Sequence, residues 1–329
     1  MLLLPEGSVI SASSGTAALI GSMLAVAGRA VEQRPLALMP AYTFVATAVA
    51  AQQCGYHPFL ADINPVSWTL DPERLAAELD RSILERCGIA VPVAPLGRPV
   101  PQAPWLEFQR KTGIPVVIDG AASFEGVFQT PEQFLGEIPV AMSFHATKAL
   151  ATGEGGCVAL GTPRLAVSVT RSLNFGFHEA RESTSPSING KMSEYHAAVG
   201  LAELDGWTEK QTTLRAVATE YRHQLFSAGL SKYFYFAPDV SSNYALCHCA
   251  SPDQALRVQA ALQRSRIDYR LWYGKGLQHH AYYADLEHES LVVTHDLAPR
   301  LLGLPMSMDL TESAITGIVA ALSTGLSES

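Results

Sequence analysis

Short apolar runs alternate with helix-like stretches through the first half of this chain. Residues 8–13 read as a strand, followed by a helix of small residues over 16–27. Residues 36–39 form the next strand, leading into a helix at 44–53, and 58–61 is strand-like again. At Asp71-Pro72-Glu73 an N-cap residue, a proline at the first helical position and an early acid open a further helix. Apolar runs at 89–93, 116–118, 140–144 and 157–160 complete the set. This alternation predicts an α/β fold: a mainly parallel central sheet with helices on both faces.

The second half is patterned differently. Residues 174–189 are rich in Ser, Gly, Glu and Pro without a period, and they read as a long loop. Long structureless loops inside domains are usually functional. Residues 191–227 are helical, expected as two helices joined near Gln211. A strand over 244–250, a helix over 251–266 and a final helix after Asp309 suggest a small C-terminal α+β domain. The expected division is a large α/β domain over residues 1–210 and the small domain over 211–329.

Composition adds exclusions. With 329 residues, 48% hydrophobic and 16% charged, the chain fits a packed soluble enzyme of one large and one smaller domain. A formal net charge of −8 gives no general attraction to nucleic acid or acidic membranes. A phosphate-bearing ligand therefore needs a local site. The five scattered cysteines (54, 87, 157, 247, 249) argue against a disulfide framework and for a reducing cytoplasm. Cys247-His248-Cys249 lies in a strand-like run and lacks a second ligand pair, so no metal is expected. His279-His280 reads as a polar segment of the small domain. Residues 1–6 carry no basic region of a leader, and the apolar stretch 17–27 is shorter than the ~20 residues that span a bilayer.

Chemistry concentrates in three stretches. Ser13-Ser14-Gly15-Thr16-Ala17-Ala18-Leu19 sits between a strand and a helix, which makes a phosphate cradle by amides and dipole, or an ordinary helix cap. Asp119 closes the apolar run Val116-Val117-Ile118. A carboxylate there needs a partner, which a protonated pyridine nitrogen, a helix cap or an ion pair would supply. Lys148 follows the strand end Ser143-Phe144-His145, just before Gly153, Gly155 and Gly156. A lysine at a strand's carboxyl end, among small and apolar residues, can be desolvated and present a neutral amine to an aldehyde. Alone, it reads rather as a surface lysine after a strand. In this order, the three are the anchors of pyridoxal phosphate: phosphate cradle, ring-nitrogen partner and covalent lysine.

These residues also resemble a known family. Ser14-Gly15-Thr16-Ala17-Ala18-Leu19, Pro40-Ala41-Tyr42-Thr43-Phe44-Val45-Ala46-Thr47 and Asp119 with its following alanines look like the DegT/StrS family of nucleotide-sugar aminotransferases. So do Ser143-Phe144-His145-Ala146-Thr147-Lys148, Thr152-Gly153-Glu154-Gly155-Gly156, Asn189-Gly190-Lys191-Met192-Ser193-Glu194 and Leu304-Pro305-Met306. The resemblance covers nearly the whole chain and implies a fold type I pyridoxal-phosphate transferase. Carried over, Gly15, Thr16 and Ala17 would hold the cofactor phosphate with Ser143, Phe44 would stack on the ring, and Asp119 would pair with its nitrogen. Lys148 would be the Schiff-base lysine and proton shuttle. Asn189 would reach the phosphate of a neighbouring subunit, which implies a homodimer.

The implied reaction moves an amino group from glutamate, through the pyridoxal and pyridoxamine forms of the cofactor, to a nucleoside-diphosphate keto-sugar. Tyr42, His145, Lys191, Arg270 and Trp272 are the candidates for substrate contacts; Lys191 and Arg270 suit a diphosphate. Trp272 and Tyr273 fit either stacking on a base or sugar or a place in the small-domain core. No arginine stands where it is recognisable as a carboxylate clamp. Two features depart from the family. Ala122 occupies a position where many members carry His or Gln beside the cofactor, and the chain begins only a few residues before the cradle, where members usually have an extra segment. The competing readings are a fold type I enzyme acting on amino acids, and a shortened non-catalytic paralogue that binds cofactor or sugar nucleotide.

Overall fold

The computed structural model of the protein describes residues 8–161 and 163–327. Residues 1–6, read above for a leader's basic region, lie outside them. Among the described residues, seven strands build the large sheet: β1 (Val9–Ala12), β2 (Leu36–Pro40), β3 (His57–Ala61), β4 (Cys87–Ala90), β5 (Ile118–Asp119), β6 (Val140–Ser143) and β7 (Gly156–Ala159). They are hydrogen-bonded in the orders β3-β2-β4 and β5-β6-β7-β1. Parallel bridges from Ala90 to Val116 and from Val93 to Asp119 join the two sets. The expected parallel pairing holds for β2 with β3 and β4 and for β5 with β6. Strand β7 runs antiparallel to both β6 and β1, because the loop after β6 returns the chain beside it.

These strands read as unbroken apolar runs because both faces are covered. Side chains alternate between two cores, as the two-residue period of a strand requires. Ala37, Met39, Ile89 and Val91 face the side of helices α1 (Gly15–Val26) and α2 (Val45–Gln53). Leu36, Leu38 and Ala90 face the other, which also buries α3 (Pro72–Glu78) through Leu75; the short α4 (Arg81–Arg86) follows it. The same side holds α5 (Gln102–Thr112) through Trp105 and Phe108, α6 (Phe124–Gln129) through Phe124, and α7 (Pro131–Phe134) through Phe134. Helix α8 (Ala166–Leu173) returns to the first face, packing on α1 through Val169 and Leu173.

Residues 174–189 form no helix or multi-residue strand, in line with the expected loop. An antiparallel bridge between Asn174 and Asn189 closes its base. Helices α9 (Glu194–Asp205) and α10 (Trp207–Ser227) then follow, and their junction is Gly206 rather than Gln211. Helix α10 links two cores: Trp207 packs with the large sheet, whereas Val217, Tyr221 and Leu225 pack with the C-terminal part. There, β8 (Phe234–Tyr235), β9 (Ala245–His248) and β10 (Leu301–Leu304) pair antiparallel in the order β10-β9-β8. Helices α11 (Pro252–Arg264), α12 (Val292–Leu297) and α13 (Glu312–Ser327) complete it. Ser251 caps α11, its Oγ accepting from the Gln254 amide at 3.1 Å. A Cβ on Gly325 would stand 2.6 Å from the Val258 backbone, so glycine is what lets α13 lie against α11.

Among the described residues no helix is long and apolar enough to cross a membrane, and no three His, Cys, Asp or Glu side chains are grouped to hold a metal.

Candidate active site

The carboxyl ends of β5 and β6 and the N-terminus of α1 meet at one cleft of about 700 Å³, which residues 269–273 of the C-terminal part also line. Such a place, beyond the strand ends of an α/β sheet, is where ligands of these folds bind.

Ser14 caps α1, its Oγ accepting from the Ala17 amide at 3.0 Å, and Ala18 donates to the Ser14 carbonyl. The Gly15 and Thr16 amides come before the first intrahelical donor, so they are free to bind an anion. Ser14, Gly15, Thr16 and Ser143 all line the cleft. Ala17 does not: it is buried, and its amide is already committed to Ser14. Of the residues expected to hold the phosphate, Gly15, Thr16 and Ser143 line the cleft and Ala17 does not. The cradle is tightly built. A Cβ on Gly15 would stand 2.6 Å from Ser143 Cβ, and one on Gly156 would stand 2.7 Å from the Ser14 backbone.

Asp119 ends β5 and is 4% exposed. Its Oδ2 accepts from Thr47 Oγ1 at 2.7 Å and its Oδ1 from the Ala121 amide at 3.1 Å. Burial pushes its carboxyl above the usual range, while the Thr47 hydroxyl, the Ala121 amide and the charge of Lys148 pull the other way.

The loop between β6 and β7 carries Lys148 and folds on its own backbone. Ala146 donates to the Gly153 carbonyl at 2.9 Å, Lys148 to His145 at 2.8 Å and Thr152 to Phe144 at 2.8 Å. Gly153 has φ +81°, a left-handed turn that glycine adopts without strain. Lys148 is half-buried and lines the cleft beside His145. Nδ1 of His145 accepts from the Thr147 amide at 3.2 Å, which places the proton of the neutral ring on Nε2, 3.9 Å from Glu154. Phe44, at the extended N-cap of α2, is 60% exposed with its ring at the cleft.

Residues of the C-terminal part supply the remaining wall. Arg270 is held by paired backbone hydrogen bonds with Gly303, at 2.9 and 2.7 Å, and its guanidinium lies 5.6 Å from the centre of the Trp272 ring. It is the one arginine lining the cleft among the described residues. The fold, not sequence spacing, brings it to the cleft that Lys148 also lines. Trp272 lines the cleft edge-on to Tyr244, and Tyr273 accepts from the Leu96 amide at 3.2 Å through its hydroxyl.

Three further candidates lie elsewhere. Tyr42, expected at the substrate, is 2% exposed and packs edge-on beneath Tyr273, outside the cleft lining. Asn189 and Lys191 do not reach the cleft of their own chain. Lys191 Nζ donates to Asn189 Oδ1 at 2.7 Å and sits 4.1 Å from the centre of the Phe175 ring, on an exposed surface. Thr43, Thr47 and Tyr244 belong to the site without having been singled out for a role; the Thr43–Thr47 spacing at a helix start is the signal that was available.

Comparison with known proteins agrees with this geometry. Residues 3–323 match the model of the DegT/DnrJ/EryC1/StrS aminotransferase family. Protein Rv3402c of Mycobacterium tuberculosis is 32% identical over 97% of this chain and 78% of its own length. The UDP-2-acetamido-2-deoxy-3-oxo-D-glucuronate aminotransferase of Pseudomonas aeruginosa is 28% identical over 87% of this chain and 78% of its own. The crystal structure of DesI in the presence of its TDP-sugar product superposes with a TM-score of 0.81 at 26% identity, covering 96% of this chain and 79% of that one.

Proposed function

Because the chain belongs to the DegT/DnrJ/EryC1/StrS aminotransferase family, whose members are pyridoxal-phosphate-dependent aminotransferases of fold type I, we propose that it moves an amino group from glutamate to a nucleoside-diphosphate keto-sugar. The observation that carries this reading is the convergence of the α1 N-terminus, buried Asp119 and Lys148 on one cleft. That set fits the cofactor's three handles: free amides for a phosphate, a buried carboxylate for a ring N–H, and an amine for an aldehyde. When bound, the cofactor supplies an electron-withdrawing ring and a carbon that accepts and returns the amino group.

The roles of the chain's own residues follow. Gly15 and Thr16 amides with Ser143 bind the phosphate, and Phe44 covers the ring. Asp119 accepts the ring N–H. Lys148 Nζ attaches the cofactor and, once released, moves the proton between the reacting carbons. Arg270 offers a planar cation to the substrate's diphosphate, with Trp272 beside it for a flat group. His145 Nε2–H faces the mouth as a donor to substrate oxygen.

A second copy of the chain completes the site in this reading. Asn189 and Lys191 are exposed, and α9 buries none of its own residues, leaving Tyr195 87% and Leu201 66% exposed. An apolar surface of that kind fits a subunit interface that carries Asn189 to the neighbour's phosphate. The five thiols are all free and buried, which fits a reducing cytoplasm. Sugar nucleotides as acceptors are argued from the relatives, which include a UDP-sugar aminotransferase.

The test is to mix purified protein with glutamate and a panel of nucleotide keto-sugars and to detect the amino-sugar by mass. Conversion of one of them is expected. Reaction with glutamate but with no sugar nucleotide would move the assignment to an enzyme of amino acids.

A further inference from the structure

Asp119 is the buried charge of the site, and a chain of two hydroxyls leads from it to the cleft. Thr47 is fully buried and Thr43 is 1% exposed. Thr47 Oγ1 lies 2.7 Å from Asp119 Oδ2, and Thr43 Oγ1 lies 2.8 Å from Thr47 Oγ1. The direction of the protons follows from what each group can do. An ionised carboxylate only accepts, so the Thr47 proton points to Asp119. The Thr47 oxygen then accepts the proton of Thr43, and Thr43, which lines the cleft, has lone pairs left over. Thr47 lies in the first turn of α2 and Thr43 just before its N-cap Phe44, where the chain turning into the helix brings the two hydroxyls together.

We propose that Thr47, oriented by Thr43, is the positioning residue that keeps Asp119 ionised and aimed at the cofactor ring. The inference rests on the reading of Asp119 as the ring-nitrogen partner. Burial drives the Asp119 carboxyl upward, against three opposing groups: the Thr47 hydroxyl, the Ala121 amide and Lys148 from the β6–β7 loop. Tyr273 is the titratable group facing it from the small domain, with Tyr42 packed behind; burial holds both phenols neutral, so neither adds a positive charge. The Ala121 bond is fixed by the backbone. Thr47 is thus the side-chain donor that a substitution can remove without touching Lys148.

The sign of the effect is defined. Losing the Thr47 proton raises the Asp119 carboxyl further, so it becomes protonated at higher pH and can no longer accept the ring N–H. Cofactor binding should therefore weaken as pH falls, and earlier than in the wild type. The measurement is the dissociation constant of pyridoxal phosphate for the apo-protein, by absorbance titration between about pH 5 and 8. Thr47→Val should bind roughly tenfold or more weakly at the acid end, with the profile displaced upward by about one pH unit, as expected for a lost hydrogen bond to a charged group. Thr47→Ser, which keeps the hydroxyl, should restore the wild-type profile. Thr43→Val should displace it in the same direction by less. Adding Thr47→Val to Asp119→Asn should change nothing more.

A Thr47→Val profile matching the wild type overturns the inference, as does a Thr47→Ser profile as poor as that of Thr47→Val. So does a further loss of affinity when Thr47→Val is added to Asp119→Asn. If Thr47→Val fails to fold, Thr43→Val and Thr47→Ser decide, and an unchanged Thr43→Val profile removes the oriented chain. If Asp119→Asn itself leaves affinity and profile unaltered, the ring-partner reading falls first and takes this inference with it.

Discussion

The phosphate cradle has so little room that one methyl group tests it. A Cβ added at Gly15 would lie 2.6 Å from Ser143 Cβ, 3.1 Å from Ser143 Oγ and 3.2 Å from Ser143 Cα. Ordinary carbon contacts begin near 3.5 Å, so the α1 N-terminus and β6 would have to separate by about 1 Å. That displacement acts on the two groups meant to grip the same phosphate. Overpacking of this kind costs about 1–3 kcal/mol. If the cost falls on the cofactor-bound state, where both elements must converge, Gly15→Ala should weaken pyridoxal-phosphate binding about 5- to 150-fold. Gly317→Ala is the control: it is helical, nothing lies within 4 Å of its added Cβ, and alanine suits a helix better than glycine. The assay is absorbance titration of apo-protein with cofactor, beside thermal unfolding of the same apo-proteins. Gly15→Ala should lose affinity with an intact unfolding transition, and Gly317→Ala should bind normally. Wild-type affinity in Gly15→Ala would refute the claim that Gly15 and Ser143 hold one phosphate.

Three other outcomes are expected. Borohydride should fix the cofactor to the peptide containing Lys148, read by mass spectrometry, and Lys148→Ala should bind cofactor reversibly without turnover; attachment at Lys111 or Lys191 would undo the assignment. Mixing Lys148→Ala protein with Asn189→Ala protein should recover activity, because one hybrid site carries both lesions and the other neither; a sedimenting monomer with full activity would remove the shared site. Arg270→Ala and Lys191→Ala should each raise the apparent KM for a sugar nucleotide while leaving the glutamate half-reaction nearly intact, and equal damage to both half-reactions would assign these residues to the cofactor.

What was legible along the chain depended on how local each constraint is. Strands β2, β4 and β6 stood out because burial on both faces requires continuous apolar runs, and α11 stood out because Ser251-Pro252-Asp253 writes its own start. Helix α5 was passed over: it buries only Trp105 and Phe108, so its pattern is thin, and Gly113 in a left-handed cap is the one strong mark it carries. Strand β8 has two residues and is too short to read alone; it exists because it pairs with β9. The site divides along the same line. Lys148, Asp119 and the Gly15–Thr16 amides follow from strand ends and a helix start, so each is recognisable from neighbours in sequence.

Arg270, Thr47 and the fate of Tyr42 are not local. Arg270 lines the cleft from a segment whose backbone is held by Gly303, distant in sequence, and Trp272 can pack there only because Gly303 has no side chain. Tyr42 belongs to the same quoted segment as Phe44, yet one ring goes to the core and the other to the cleft, since the chain turns from β2 into α2 between them. Thr47 acquires its role from Asp119, 72 positions away in sequence, through a single hydrogen bond. Along the chain Asp119 is only a carboxylate at a strand end; the fold decides which hydroxyl meets it, and that hydroxyl comes from the first turn of α2.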